Sequence, residues 1–211
     1  MPQSTRLRIL LVGASGVLGR AVDAALSERH DLIRAGSKSG EVRIDIADPA
    51  SILQGLNEAG PVDAVCCTAG KVNFPPLASV EPQTLASSVY GLGLANKLMG
   101  QVNLALAARR SLRDGGSITL ISGILSEAPI PGGSSAAMVN AALEGFVRTA
   151  ACELPRGLRL NLVSPTVFTE SMADYGPFFP GFEPVPVAKA ALAYCRSVEG
   201  IQTGQVYRVG F

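Results

Sequence analysis

The chain has 211 residues, 47% of them hydrophobic and 17% charged. That balance opposes intrinsic disorder and fits roughly one domain that buries about 70% of its extended-chain surface. Lys plus Arg total 18 against 17 Asp plus Glu, a formal charge of +1, so there is no basic footprint for nucleic acid or an acidic membrane. The four cysteines, Cys66, Cys67, Cys152 and Cys195, show no metal-ligand spacing, and the adjacent pair does not readily close on itself. A reducing, cytoplasmic setting without a metal is expected. The first apolar run, residues 7–12, is too short to span a membrane. With so few charges, some apolar surface is expected to be covered by a second copy of the chain.

Residues 7–12 form an aliphatic run suited to a buried parallel strand, and Gly13 ends it. Over residues 17–29, Val17, Leu18, Ala21, Val22, Ala25 and Leu26 share one helical face. His30 beyond it reads as a surface residue. Strands follow at 32–35 and 42–46. Asp48-Pro49 then opens a helix with Ile52, Leu53 and Leu56 inward, stopped by Gly60-Pro61. Residues 62–67 are the fourth strand, in which adjacent Cys66 and Cys67 point to opposite faces and read as packing.

A long helical region is predicted over 81–112, with Leu94, Leu98, Gln101, Val102, Ala105 and Arg109 on one side. Residues 117–122 give the fifth strand and 126–135 a loop rich in proline and glycine. A helix over 134–154 leads to a sixth strand at 158–163. The proline-rich loop 164–186 overhangs the strand ends, on the expected substrate side. A helix at 187–197 and a strand at 205–209 complete the chain. Repeated strand-helix units predict one Rossmann-like domain over residues 1–211, a doubly wound, predominantly parallel sheet of about seven strands flanked by helices.

The turn Gly13-Ala14-Ser15-Gly16-Val17-Leu18-Gly19 carries glycines at intervals of three between a strand and a helix. Gly13 lets the strand turn, Gly16 lets a diphosphate approach, and Gly19 lets the helix pack closely. The free amides at the helix start, over Ser15 to Leu18, meet the phosphates. At the end of the second strand an acid would favour a free ribose 2′-hydroxyl. Here Gly36-Ser37-Lys38-Ser39 stands instead, suiting a 2′-phosphate, unless Lys38 is only a solvated loop charge. NADP(H) is the preferred cofactor on this reading, with NAD(H) the alternative. Asp45-Ile46 can edge the adenine, or Asp45 can cap the following helix.

Together with this turn, Asp45-Ile46, Thr68-Ala69-Gly70, residues 116–123, 141–151 and the run Val163-Ser164-Pro165 to Thr169 make the chain resemble a short-chain dehydrogenase/reductase over nearly its whole length. The resemblance implies that Thr68, Ala69 and Gly70 approach the adenosine ribose. It also implies that Asn140 lies near the nicotinamide ribose and that Pro165, Val167 and Thr169 belong to the segment meeting the carboxamide. Asn140 and Thr169 can equally be an ordinary helix residue and a cap. Members of the family use a tyrosine for proton exchange, a lysine four residues later, a strand-end serine and an asparagine on the preceding helix. At those positions this chain has Ala136, Asn140, Gly123 (beside Ser122) and Lys97.

Alanine and glycine neither transfer a proton nor donate a side-chain hydrogen bond, so the family's usual mechanism is not written here. The candidate replacements are Lys97, Ser122 and Tyr175, with Tyr90 a weaker one. Tyr175 precedes Gly176-Pro177-Phe178-Phe179-Pro180, whose aromatics either wall an apolar substrate or pack the loop. Three classes of function remain, the first two being an NADP(H)-dependent oxidoreductase of a small or medium carbonyl or alcohol with an atypical proton route, and a catalytically silent NADP(H)-binding or regulatory protein. A non-redox enzyme using the same cleft is the third possibility. The resemblance further implies a homodimer or homotetramer joined through the helices near 94–111 and 134–152.

Overall fold

Strand β1 (Arg8–Val12) carries four fully buried aliphatic residues in a row, and this places it inside a sheet covered on both faces. The computed structural model describes residues 6–211. In it β1 pairs in parallel with β2 (Asp31–Gly36) and β4 (Val62–Cys67). β2 continues to β3 (Val42–Arg43), and β4 continues through β5 (Leu112–Ile121) and β6 (Arg159–Pro165) to β7 (Val206–Val209). The order 3-2-1-4-5-6-7, parallel throughout, is that of a doubly wound Rossmann-like sheet.

Alternation along the strands feeds two apolar layers. Leu10, Val12, Val65, Cys67, Leu120 and Leu162 face α2 (Pro49–Ala59), α4 (Gly100–Ala108) and α5 (Ser134–Ala150). Ile9, Leu11, Cys66, Ile121 and Val163 face α1 (Val17–Leu26) and α7 (Val187–Glu199). Cys66 and Cys67 therefore pack on opposite faces, as the period of a strand requires. Each large aliphatic side chain buried here stabilises the fold by about 1.5–3 kcal/mol relative to exposure. A polar seam runs inside the second layer. Thr119 Oγ1 donates to Ser197 Oγ at 2.7 Å, and Asn161 Nδ2 donates to Ser197 Oγ at 3.1 Å and to Gln202 O at 2.9 Å. Gln205 N donates to Asn161 Oδ1 at 3.0 Å, and buried Tyr194 donates to Cys67 O at 2.7 Å.

Several boundaries differ from expectation for local reasons. Residues 81–90 are not helical, because the amides of Ser87 and Ser88 both fold back on Thr84 O after Pro82. The helix starts with α3 (Gly91–Gly93), passes through a π-turn over Leu94–Met99, and continues as α4. Gln101 is fully buried while Arg109, eight residues on and about 80° round the helix, is exposed. The first helix stops at Leu26, whose carbonyl accepts from Arg29 and His30. α5 stops at Ala150, where the amides of Cys152 and Glu153 close short turns. β3 is two residues long, yet Ile44 and Ile46 stay buried. β5 begins five residues early and crosses a register shift opposite Val62 and Ala64. His30 is not on the surface: it is 2% exposed, its Nδ1 accepts from Leu7 N at 3.3 Å, and its Nε2 meets Glu199 Oε1 at 2.9 Å.

The loop predicted over 164–186 is tied at its base by Thr169 N to Val185 O, 2.9 Å, and Val185 N to Val167 O, 3.1 Å. Between these lie two 3-10 turns and α6 (Met172–Tyr175). A third small apolar cluster, with Ile124, Leu125, Ile130, Ala136, Val167 and Phe179, holds the loop over the strand ends. Among the described residues, no helix is long and apolar enough to cross a membrane.

Candidate functional site

The carboxyl ends of β1, β2 and β4 frame a cleft of about 450 Å³, a volume ordinary for a small-molecule site. It brings together Gly13, Ser15, Gly16, Ser37, Lys38, Asp45, Ile46, Thr68, Ala69 and Gly70, all expected from the sequence to share a site. Ser39, which the sequence reading sets beside Lys38, lines it as well, and it also takes in Ile44, Lys71 and Asn96, which the sequence motifs do not assign to it. Lys71 directly succeeds Gly70 of the Thr68-Ala69-Gly70 motif, and that adjacency is the signal that could have found it. Asn96 reaches the cleft from the π-turn and directly precedes Lys97, where the resemblance implies a helix asparagine.

The glycine turn has the geometry that its spacing implies. Gly13 has φ +88°, and a Cβ there would lie 2.8 Å from Thr68 Oγ1 and 2.9 Å from Ala69 N. A Cβ on Gly19 would lie 2.1 Å from Gly13 O, so this residue lets α1 pack against the turn. Thr68 locks β4 to the turn, its amide donating to Val12 O at 2.9 Å and its hydroxyl to the Val12 and Gly13 carbonyls at 3.1 Å each. The start of α1 therefore presents its amides to the cleft. Leu18 is turned into the core at 7% exposure, which leaves only its backbone at the turn. Ser37, Lys38 and Ser39 are exposed on the cleft wall. Asp45 also lines the cleft and accepts from Ala47 N at 3.0 Å. The cap of α2 is instead Asp48, which accepts from Ala50 N at 2.9 Å.

A second polar group lies at the ends of β5 and β6. The Lys97 side chain passes over Gly70, where a Cβ would sit 2.6 Å from Lys97 Cγ. Its Nζ donates to Ser122 O at 3.1 Å and to Asn140 Oδ1 at 2.9 Å. Asn140 is 3% exposed and donates through Nδ2 to Gly123 O at 3.1 Å, which fixes its amide with the oxygen toward Lys97. Buried Gln101 exchanges two 2.8 Å bonds with the Ile121 backbone and donates to Lys97 O at 3.1 Å, clamping the π-turn to β5. Burial pushes the Lys97 amine down to about 8, opposed by the neighbouring Cys67 thiol. That thiol is itself raised by burial to about 12. An amine of this kind exchanges protons near neutral pH.

The other candidates are placed differently. Ser122 Oγ is buried and accepts from Gly123 N at 2.6 Å, so the residue meets Lys97 through its carbonyl and not its hydroxyl. Tyr175 is 44% exposed and lies edge-on to Phe74 with ring centroids 6.5 Å apart. No hydrogen bond joins it to Lys97 or Asn140. Tyr90 precedes the helix and meets Ser134 Oγ at 3.1 Å. Pro165 ends β6 opposite Val209, Val167 is buried in the third cluster, and Thr169 is engaged through its amide with Val185. These three residues and Asn140 stand at the same edge of the sheet as the cleft without lining it.

A family model described as Enoyl-(Acyl carrier protein) reductase matches residues 12–207. No curated protein matches the chain. Among solved structures, the protein lin1944 from Listeria innocua is 45% identical with a TM-score of 0.92, over 96% of this chain and 99% of that one. A small-chain dehydrogenase solved in complex with NADPH is 25% identical with a TM-score of 0.82, over 97% and 96%. A short-chain dehydrogenase/reductase from Serratia marcescens BCRC 10948, 21% identical with a TM-score of 0.75 over 96% and 94%, shares the fold. With the family match running through almost all of a chain that has this sheet and this glycine turn, the protein belongs to the short-chain dehydrogenase/reductase superfamily.

Proposed function

We propose that the protein is an NADP(H)-dependent oxidoreductase of small or medium carbonyl or alcohol compounds that uses Lys97 in place of the tyrosine missing at Ala136. The observation that carries the cofactor is the cleft. A β1 turn that tolerates no Cβ at Gly13, amides at a helix start, and Lys38 between two serines fit a dinucleotide with a 2′-phosphate. A relative of similar length was solved with NADPH, in keeping with this choice. Bound there, the nicotinamide supplies or takes a hydride.

The chain's own part is to hold and move the proton. Lys97 Nζ uses two of its protons on Ser122 O and Asn140 Oδ1. In the reductive direction the third passes to the carbonyl oxygen of the substrate, and solvent reprotonates the amine. Asn140, Pro165, Val167 and Thr169 border the nicotinamide end, and loop 164–186 covers the substrate. Apolar Leu106 on α4 and Met138 on α5, each 41% exposed, are covered in a homodimer or homotetramer on this reading. Light scattering across a range of concentrations should then give a mass above that of one chain.

The second reading, an NADP(H)-binding protein without turnover, is favoured by one observation: Ala136 and Gly123 leave no hydroxyl at either family position. Calorimetry with the four nicotinamide nucleotides tests the cofactor, and a panel of aldehydes, ketones and alcohols followed by nicotinamide absorbance and product mass tests turnover. NADPH should bind more tightly than NADH, and Lys38→Ala should lose about 1.5–3 kcal/mol for NADPH alone. Equal affinities that Lys38→Ala does not alter would overturn the NADP(H) assignment.

A further inference from the structure

The cleft contains a second lysine that no sequence motif accounts for. In the sheet, β2 and β4 lie on either side of β1. The segments leaving their carboxyl ends carry Lys38 and Lys71 to opposite flanks of the Gly13–Gly16 turn, and both residues line the cleft. Lys71 comes directly after Gly70, whose φ of +153° turns the chain. Its amide is held at 2.7 Å by Asn96 Oδ1 from the π-turn. The position of Lys71 is thus set from two sides.

Its charge is not matched by a carboxylate. Among the described residues every ion pair uses an arginine or His30. The acid lining the cleft, Asp45, is turned onto its own Ala47 amide. Arg20, the cation nearest the glycine turn on α1, is folded back onto Ser15 O and does not line the cleft. A ligand seated on the glycine turn therefore meets helix amides beneath it and one lysine on each flank. An ammonium acts on phosphate as a compact point charge and needs no fixed fork geometry, so an exposed lysine suits this task.

We propose that Lys71 is the cation that binds the diphosphate of the dinucleotide, leaving Lys38 and its flanking serines to the 2′-phosphate. The assignment rests on the proposed NADP(H) binding and adds a residue to it. Two fragments separate the roles: ADP-ribose carries the diphosphate without a 2′-phosphate, and 2′-AMP the reverse. Each would be titrated by calorimetry into the wild type, Lys71→Met, Lys71→Arg and Lys38→Ala, with melting curves of the unliganded proteins to verify folding.

Lys71→Met should weaken ADP-ribose about tenfold or more, the scale of one charge-assisted contact, and leave 2′-AMP within about twofold. Lys38→Ala should do the opposite, and Lys71→Arg should keep most of the ADP-ribose affinity. Unchanged ADP-ribose binding in Lys71→Met, or equal loss of both fragments, overturns the assignment while the cofactor reading stands. A wild type that binds neither the fragments nor NADPH overturns both.

Discussion

The two ends of this site are built from different materials. At the carboxyl ends of β1, β2 and β4 the walls are largely backbone, glycine and open volume, with exposed Ser37, Lys38 and Lys71 beside them. At the ends of β5 and β6 the polar groups already satisfy one another, Lys97 with Asn140 and Ser122 O, and Asn140 with Gly123 O. The first end depends on shape that only glycine permits. The second depends on side-chain identity, and there the positive charge comes from the helix before β5 where the resemblance implies one on α5. A chain can therefore keep the glycine turn of its family while the polar groups at the other end of the sheet edge are exchanged.

The largest expected effect comes from the second end. Lys97→Met should lower reductive turnover by about 100-fold or more, the usual scale for losing a general acid, while NADPH affinity changes by only a few-fold. Because the amine sits at about 8, its charged donor form is lost as pH rises. Reduction should fall above about pH 8 and oxidation should rise through the same range; a flat profile in both directions would remove Lys97 from the reaction. The first end is broken by Gly19→Ala, since the new Cβ would lie 2.1 Å from Gly13 O. The strain should cost about 1–3 kcal/mol of stability in chemical denaturation and weaken all four nucleotides alike. The smallest effect is that of Tyr175→Phe, whose hydroxyl is remote from the Lys97 bonds: turnover should stay within about twofold, and a Lys97-like loss would exchange the roles of the two residues.

How far the sequence could be read divides along the same line. The glycine turn was legible because three glycines between an aliphatic run and an amphipathic helix admit few geometries, and Gly13 and Gly19 meet the atoms that their spacing implies. The family resemblance, and no pattern in the chain itself, marks Lys97 and Asn140 as standing in unusual places. Their contact depends on a π-turn that the apolar pattern does not encode. The burial of His30 is hidden from the sequence for a related reason: the partners that justify it, Leu7 N and Glu199, lie 23 and 169 residues away in the chain. Residues 81–90 looked helical by continuity with the Leu94–Arg109 stripe, but Pro82 and the Thr84 turn set the true start at Gly91.

The buried seam of Thr119, Asn161 and Ser197 constrains how the molecule can come apart. All three are fully buried and bond mainly to one another and to the turn at Gln202 and Gln205. Sliding α7 along the sheet, or peeling away the 202–205 turn that leads into β7, would leave amide and hydroxyl groups unpaired in an apolar layer, at about 1–3 kcal/mol for each. Fraying from the carboxyl terminus is therefore resisted until β5, β6, α7 and β7 separate together. Amide protons across these four elements should then exchange with solvent as one cooperative unit.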